Sequence, residues 1–182
     1  MGTGVIPETE KVMSVSEETQ VEENGSKAEE LEQTPSQGKQ SLCDDVLYYK
    51  ICKTFSIEAQ DAKQYSPLTL AYIGDAIYEV IVRTVLVEKG NAPVNTLHKR
   101  ASKLVKAEAQ KDAFFRIKEL LSEEEMAVFK RGRNAKSYTS AKNATIGDYR
   151  IATGYEALFG YWYLSGQTER MLEKAQAAME EI

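Results

Sequence analysis

The longest run of apolar positions in the chain follows Ser66-Pro67 and predicts one long helix. Serine before proline is a typical helix start, and Gly90-Asn91 supplies a stop. The β-branched residues near its end would also suit a strand, but a segment of about 22 residues is too long for one. Its apolar residues cover most of the circumference, so we expect this to be the central, buried helix.

The rest of the pattern is also helical. Neither an alternating strand nor a hairpin turn appears between the predicted helices, so the chain is predicted to be all-α, as a helical bundle. The predicted segments are a short helix over 46–55 capped by Asp44 or Asp45, a helix after Pro93, a segment over 114–121, a helix from the capping box at 122–125 to about Lys130, a basic loop over 131–145, and helices over 146–164 and 168–181.

Composition divides the chain into two parts. Residues 1–43 hold nine Glu, three Lys and no aromatic residue, whereas all 16 aromatic residues of the chain lie later. A segment of this composition cannot bury enough apolar surface to offset its loss of conformational entropy. We therefore predict a disordered, acidic, low-complexity tail over 1–43, followed by a single domain over 44–182.

Several classes of protein do not fit this sequence. No stretch approaches the roughly 20 apolar residues of a spanning helix, so we expect no membrane segment. The N-terminus lacks both a secretion signal and the residues needed for myristoylation. With one His and two Cys, the chain cannot assemble a structural zinc site alone, and a disulfide framework is not indicated. A reducing cytoplasm is the expected location.

Three carboxylates interrupt the apolar helices. Asp75 and Glu79 lie one turn apart in the long helix, and Glu156 lies in the predicted helix over 146–164. A charge among apolar residues costs several kcal/mol unless it is paired, hydrogen-bonded or bound to a cation. An ion pair with arginine or a cap on a neighbouring helix would explain either acid singly. Two acids in two core-forming helices favour a shared cation, and oxygen ligands without His or Cys suit Mg²⁺ or Mn²⁺ and phosphate chemistry.

Basic residues point to a polyanionic substrate. Between Lys99 and Lys142 there are 12 basic and six acidic residues, and from Lys130 onward in this range there are five basic and no acidic ones. Such a stretch is often only a solvated surface, but beside a candidate metal site it favours nucleic acid. Asparagine beside arginine can also bond sugar hydroxyls, which favours RNA. The candidate RNA-binding residues are Lys99, Arg100, Arg131, Arg133, Asn134, Lys136, Lys142 and Asn143.

Two motifs resemble the ribonuclease III family. Residues 70–79, Leu-Ala-Tyr-Ile-Gly-Asp-Ala-Ile-Tyr-Glu, resemble its signature, in which an aromatic-leucine-glycine-aspartate step precedes an apolar pair and Glu. Residues 152–160, Ala-Thr-Gly-Tyr-Glu-Ala-Leu-Phe-Gly, resemble its second carboxylate helix. From Tyr65 to about Ile182 the chain is similar to Mini-ribonuclease III, the bacterial branch that keeps the catalytic domain and lacks the double-stranded-RNA-binding domain. Residues 98–102 and 131–136 are also typical of that branch.

The resemblance implies an all-helical, Mg²⁺-dependent endoribonuclease that cuts double-stranded RNA as a homodimer and leaves 5′-phosphate ends. Asp75 and Glu156 fall on family carboxylates and are the expected catalytic residues and metal ligands. Glu79 is expected to orient a ligand or to pair across the dimer, and Tyr149 is a further candidate beside the site. The implied substrate is precursor large-subunit (23S) ribosomal RNA, with ribosomal proteins as candidate partners.

The chain departs from the family pattern at two carboxylate positions. Ala71 and Thr153 stand where full-length ribonuclease III has Glu and Asp, so half the usual ligand set is missing. The alternative interpretation is therefore a non-catalytic ribonuclease III-like dimer that binds structured RNA or a ribosomal particle. The retention of Asp75 and Glu156 argues for the enzyme.

Overall fold

Helices account for the architecture throughout the part of the chain that the computed structural model describes, residues 46–136 and 145–179. There the chain forms seven α-helices and two short 3₁₀ helices and contains no strand, which confirms the all-α prediction. The predicted tail over 1–43, with Lys142 and Asn143, lies outside the described residues. The α-helices are α1 (Leu47–Thr54), α2 (Pro67–Glu88), α3 (Val94–Val105), α4 (Ala107–Ile117), α5 (Glu123–Asn134), α6 (Ile146–Leu164) and α7 (Thr168–Ala178), with 3₁₀ helices at Ala62–Gln64 and Lys118–Leu120.

Helices α2 and α6 form the centre of the fold and share its most extensive contact. They cross at glycines, because a Cβ added to Gly74 would overlap the backbone carbonyl oxygen of Glu156, and one added to Gly160 would overlap that of Leu70. The two backbones therefore touch directly, with no side chain between them. This close crossing brings the residue after Gly74, which is Asp75, against the segment of α6 that carries Glu156.

Aromatic side chains fill the core around this crossing. Tyr78 of α2 packs edge-on against Tyr155 and Phe159 of α6, with ring centroids 5.2 Å and 4.9 Å away. Phe159 in turn contacts Trp162 at 5.3 Å, and the Trp162 side chain is fully buried. Each such side chain removes a large apolar area from water, so the core fixes α2 and α6 relative to each other.

The start of α5 is joined to α6 and α7 through one buried carboxylate. Ser122 and Glu125 form the predicted capping box, in which Ser122 Oγ accepts from the Glu125 amide and Glu125 Oε2 accepts from the Ser122 amide. Glu125 also accepts from Trp162 Nε1 at 2.8 Å and forms an ion pair with Arg170 at 2.9 Å. Three helices therefore depend on one side chain that is only 4% exposed.

The central helix is less buried than its sequence indicated. Ser66 caps it and Pro67 begins it, as predicted, but it ends at Glu88. The helix is central, as predicted, but Tyr72, Val80 and Val87 are 82%, 58% and 52% exposed, so the prediction that it is buried was wrong for this part of its surface. The neighbouring helices α3, α5 and α6 leave one apolar stripe of α2 uncovered. None of the described helices combines the length and apolar character needed to cross a bilayer.

The predicted basic loop begins four residues later than expected, because Arg131–Asn134 belong to the last turn of α5. Gly132 sits tightly on α6, since a Cβ there would come within 2.9 Å of the Gly154 Cα and 2.8 Å of the Ala157 Cβ. This packing continues the helix, and basic residues in a last turn interact favourably with the helix dipole. Helix α6 has the predicted bounds, with Thr145 as its cap.

Candidate active site

The structure brings together Asp75 and Glu156, the two acids that the sequence singled out from different helices. Both lie at the glycine crossing of α2 and α6, where Gly74 rests on the backbone of Glu156. The negative charge of Asp75 is one cause that raises the pKa of Glu156, so the two carboxylates interact electrostatically. The crossing therefore creates a site with two nearby acids, which is unfavourable unless a proton or a cation is also present.

Glu156 is the more strongly perturbed of the two acids. Burial and then the charge of Asp75 raise its pKa to about 8, and the nearby Gln110 side chain opposes this by lowering the pKa. At neutral pH and without a cation the carboxyl therefore keeps its proton. A carboxyl whose pKa is raised by burial between converging helices is a frequent property of functional sites.

Asp75 lies at the open side of this pair. Its side chain is exposed, yet partial desolvation, followed by the charge of Glu79, raises its pKa. The carboxylate of Glu79 itself accepts from Arg83 Nε at 2.9 Å, one turn along the same helix. Glu79 is thus close enough to affect Asp75 while its own charge is already balanced by an arginine.

Thr153 and Tyr149 lie about one and two turns before Glu156 on α6. The Thr153 hydroxyl donates to the backbone carbonyl of Tyr149 at 3.0 Å, so it satisfies its own helix. Thr153 and Ala71 are 6% and 5% exposed, and they stand at the two positions where the family pattern has carboxylates. The site therefore contains fewer acidic ligands than the family motif, with no carboxylate at these two positions.

The donor set fits a divalent cation that retains much of its water. Among the described residues no group of three His, Cys, Asp or Glu side chains clusters closely enough to enclose an ion. Asp75 and Glu156 nevertheless offer carboxylate oxygens only, which are the ligands that Mg²⁺ and Mn²⁺ prefer. Magnesium commonly binds through one or two carboxylates and several waters, so two acids suffice for such a site.

The candidate RNA-binding residues within the described range lie on two different helices or directly after one of them. Lys99 and Arg100 belong to α3, whereas Arg131, Arg133 and Asn134 end α5 and Lys136 follows it. The packing of Gly132 on Gly154 and Ala157 sets the basic end of α5 against the part of α6 that carries Glu156. The Arg133 guanidinium lies 5.9 Å from the centre of the Phe129 ring and its Nε donates to Asn134, so this arginine is held on the surface of α5.

Gln110 is a residue of the site that the sequence analysis missed. It lies on α4, is 1% exposed, and acts on the Glu156 carboxyl. A signal for it was present: Gln110 stands in register with the buried residues Ala113, Phe114 and Ile117, so a polar amide occupies a core-facing position of α4. A buried amide in such a position requires a partner.

Comparison with known proteins supports the motifs found in the sequence. The family model described as the ribonuclease III domain matches residues 68–167, which include both acids and the basic turn of α5. A Clostridium tetani protein named Mini-ribonuclease 3 is 55% identical over 115 residues, which cover 63% of this chain and 76% of that protein. A protein of the same name from Thermoanaerobacter sp. is 51% identical over 117 residues, or 64% and 82% of the two chains.

A solved structure is similar as well. The X-ray crystal structure of a Fusobacterium nucleatum protein superposes with a TM-score of 0.61 at 30% sequence identity, and the match covers 66% of this chain and 98% of that one. The resemblance to Mini-ribonuclease III that residues 70–79 and 152–160 predicted is thereby confirmed.

Proposed function

The chain belongs to the ribonuclease III domain family and is an endoribonuclease, and we propose that it cuts double-stranded RNA with a divalent cation bound at Asp75 and Glu156. The family generally uses a divalent metal ion and acts on double-stranded RNA. The observation that carries the proposal is the glycine crossing of α2 and α6, which pairs an exposed acid with a partly buried one.

The two acids have different tasks in this proposal. Asp75, on the exposed side, meets the cation and the RNA backbone, while the partly buried Glu156 anchors the cation against α6. When bound, Mg²⁺ or its substitute Mn²⁺ would offset negative charge on the phosphodiester and acidify an attacking water. Glu79, held by Arg83, adds negative charge beside Asp75 without being a ligand. The expected products carry 5′-phosphate ends.

Basic side chains provide the grip on the RNA. Arg131, Arg133 and Lys136 lie at the end of α5, which packs beside the α6 segment with Glu156, and Lys99 and Arg100 are exposed on α3. Cations at such positions neutralise backbone phosphates and bind duplex RNA largely by its shape.

A homodimer is the proposed working form, because cutting both strands of a duplex takes two sites. The exposed apolar side chains of α2, Tyr72, Val80 and Val87, support this proposal, since a second subunit would cover apolar surface that is costly to leave in water.

The substrate proposed from the Mini-ribonuclease III resemblance is the precursor of 23S ribosomal RNA, at the stem that pairs its ends. Ribosomal proteins bound to that stem are the candidate partners, and the cytoplasm is the corresponding location.

The proposal is tested by cleavage of a long perfect RNA duplex by the purified full chain with Mg²⁺ or with EDTA. Asp75→Asn should slow cleavage by about 10³-fold, the equivalent of roughly 4 kcal/mol of lost charge stabilisation, and keep the RNA affinity. Glu88→Gln is the matched control, because it removes an exposed acid from the same helix.

A different result would favour the binding module. If the intact protein binds the duplex and a ribosomal precursor stem but cuts neither in Mg²⁺, the catalytic proposal is wrong. In that case the missing carboxylates at positions 71 and 153 would have removed catalysis.

A further inference from the structure

One buried amide at the candidate site lacks a hydrogen-bond partner. Gln110 Nε2 and the Tyr155 hydroxyl are the buried side-chain atoms of the described residues for which no partner is present. Tyr155 lies among aromatic rings, with Tyr78 and Phe159 at 5.2 Å and 5.0 Å. Gln110 differs, because it is buried on α4, which packs against α6, and its side chain is close enough to the Glu156 carboxyl to interact with it.

Apart from the Tyr155 hydroxyl, several buried polar side chains in the described part of the chain do have hydrogen-bond partners. Glu125 accepts several hydrogen bonds, the Thr153 hydroxyl donates to Tyr149, and Lys174 Nζ donates to Glu173 at 2.9 Å. An unpaired buried amide costs free energy, so it is a candidate for a role in function. The neighbouring Glu156 carboxyl indicates that role, because a carboxylate accepts hydrogen bonds from an amide.

The chemistry of the amide determines which form of Glu156 it supports. Nε2 can only donate, and a carboxylate accepts strongly while a protonated carboxyl accepts weakly. A donor beside Glu156 therefore suits the carboxylate, which is the form of this side chain that binds a cation.

We propose that Gln110 is a positioning residue: its Nε2, which is unpaired in this structure, donates to one oxygen of the Glu156 carboxylate when a divalent cation binds the other oxygen. This inference rests on the proposed function, because it takes Glu156 to be a metal ligand. The amide sits on α4 while the two acids sit on α2 and α6, so a third helix contributes to the site. Residues in this relation to a ligand commonly change metal affinity or activity by about 10–100-fold when they are replaced.

The test measures Mn²⁺ binding by electron paramagnetic resonance without RNA, for the full chain and for Gln110→Met, which keeps the size of the side chain and removes the donor. We expect the Mn²⁺ dissociation constant to rise by about 10–100-fold. The affinity for duplex RNA in EDTA should not change. In cleavage assays, a higher Mg²⁺ concentration should restore the rate of Gln110→Met towards that of the intact protein.

A matched control comes from the other end of α6. Gln167 Nε2 donates to Ser165 Oγ at 2.8 Å, and Ser165 lies nine positions beyond Glu156, or about 13 Å along a helix. Gln167→Met loses a comparable hydrogen bond and should bind Mn²⁺ as the intact protein does. Gln110→Asn is a second variant at the site, because it keeps an amide that is one methylene too short, and it should resemble Gln110→Met.

The outcomes separate this inference from the proposed function. If Glu156→Gln weakens Mn²⁺ binding while folded Gln110→Met and Gln110→Asn do not, the role of Gln110 is wrong and the metal site stands. If Glu156→Gln and the intact protein bind Mn²⁺ equally, both are wrong. A rate that stays low in Gln110→Met at every Mg²⁺ concentration would also overturn the positioning role, since a purely structural defect is not rescued by the cation.

Discussion

Two glutamates in the same domain show opposite responses to burial. Glu125 is 4% exposed and receives four hydrogen bonds, from the Ser122 amide, Trp162 Nε1, and Arg170 Nε and Nη2. Burial alone would raise its pKa, but the bonds from Arg170, Ser122 and Trp162 outweigh it and hold the pKa at about 2. This carboxylate is fully paired, so its role is to join α5, α6 and α7.

Glu156 has the reverse balance. Burial and the charge of Asp75 raise its pKa to about 8, and only Gln110 acts in the other direction. The fold therefore provides Glu125 with hydrogen bonds and an ion pair, whereas Glu156 has few interactions that favour its charge. A group that is kept at a cost to stability is a candidate for function, whereas a satisfied group is a candidate for structure.

The largest expected difference between the two acids is in stability. Glu125→Gln should lower the free energy of unfolding by about 3 kcal/mol, because Arg170 loses its charged partner. Glu156→Gln should leave this free energy unchanged or raise it, since it removes a carboxyl that burial disfavours. Urea denaturation in EDTA measures both, and equal losses in the two variants would remove the distinction.

A second difference between the two acids should appear in the pH dependence of unfolding in EDTA. The raised pKa of Glu156 means that the folded state keeps its proton while the unfolded state loses it, so stability falls as pH rises from 4.5 to about 8. The slope is at most about 1.4 kcal/mol per pH unit. The lowered pKa of Glu125 has the opposite sign, so its contribution is present above 4.5 and is lost as pH falls towards about 2.

The two variants separate these slopes. Glu156→Gln should flatten the dependence on the alkaline side only, and Glu125→Gln should flatten it on the acid side only. A Glu156→Gln variant that retains the alkaline slope would show that another group causes it.

The smallest expected change in stability comes from removing the helix cap at Ser122. It distinguishes the contribution of the cap from that of the buried Glu125 carboxylate. Ser122→Ala removes the hydroxyl that accepts from the Glu125 amide, but it keeps the Ser122 backbone amide that donates to Glu125 Oε2. A loss of about 1 kcal/mol is expected, as for other helix caps. Chemical denaturation at several acid pH values checks this. The acid slope should stay as in the intact protein, and its disappearance would mean that the cap itself holds the low pKa of Glu125.

Local signals explain which parts of the fold were predictable from sequence. The start at Ser66-Pro67 and both ends of α6 were correct, because caps and stops involve neighbouring residues. Arg131 was placed in a loop, although Gly132 packs on Gly154 and continues the helix. The apolar stripe of α2 was assigned to the core, because hydrophobic periodicity does not distinguish a face that packs from one that remains exposed.

The two acids of the candidate site could be predicted from the sequence, but the side-chain amide of Gln110 was not. Asp75 and Glu156 stood out because a charge in an apolar helix is unusual, and their catalytic roles remain predictions. Their proximity depends on Gly74 and Gly160 meeting across two helices that are distant in sequence. Gln110 was missed because its proximity to Glu156 results from the packing of α4 against α6, which the sequence pattern does not show.

The role of Glu156 is tested most directly by the rate at which Glu156→Gln and Glu125→Gln cut a perfect RNA duplex in Mg²⁺, at a temperature where both are folded. We expect Glu156→Gln to lose cleavage by about 10³-fold while its stability is unharmed. Glu125→Gln should cut at nearly the intact rate despite its lower stability. If Glu156→Gln cuts like the intact protein, the poorly compensated acid is not part of the catalytic site and the central claim is wrong.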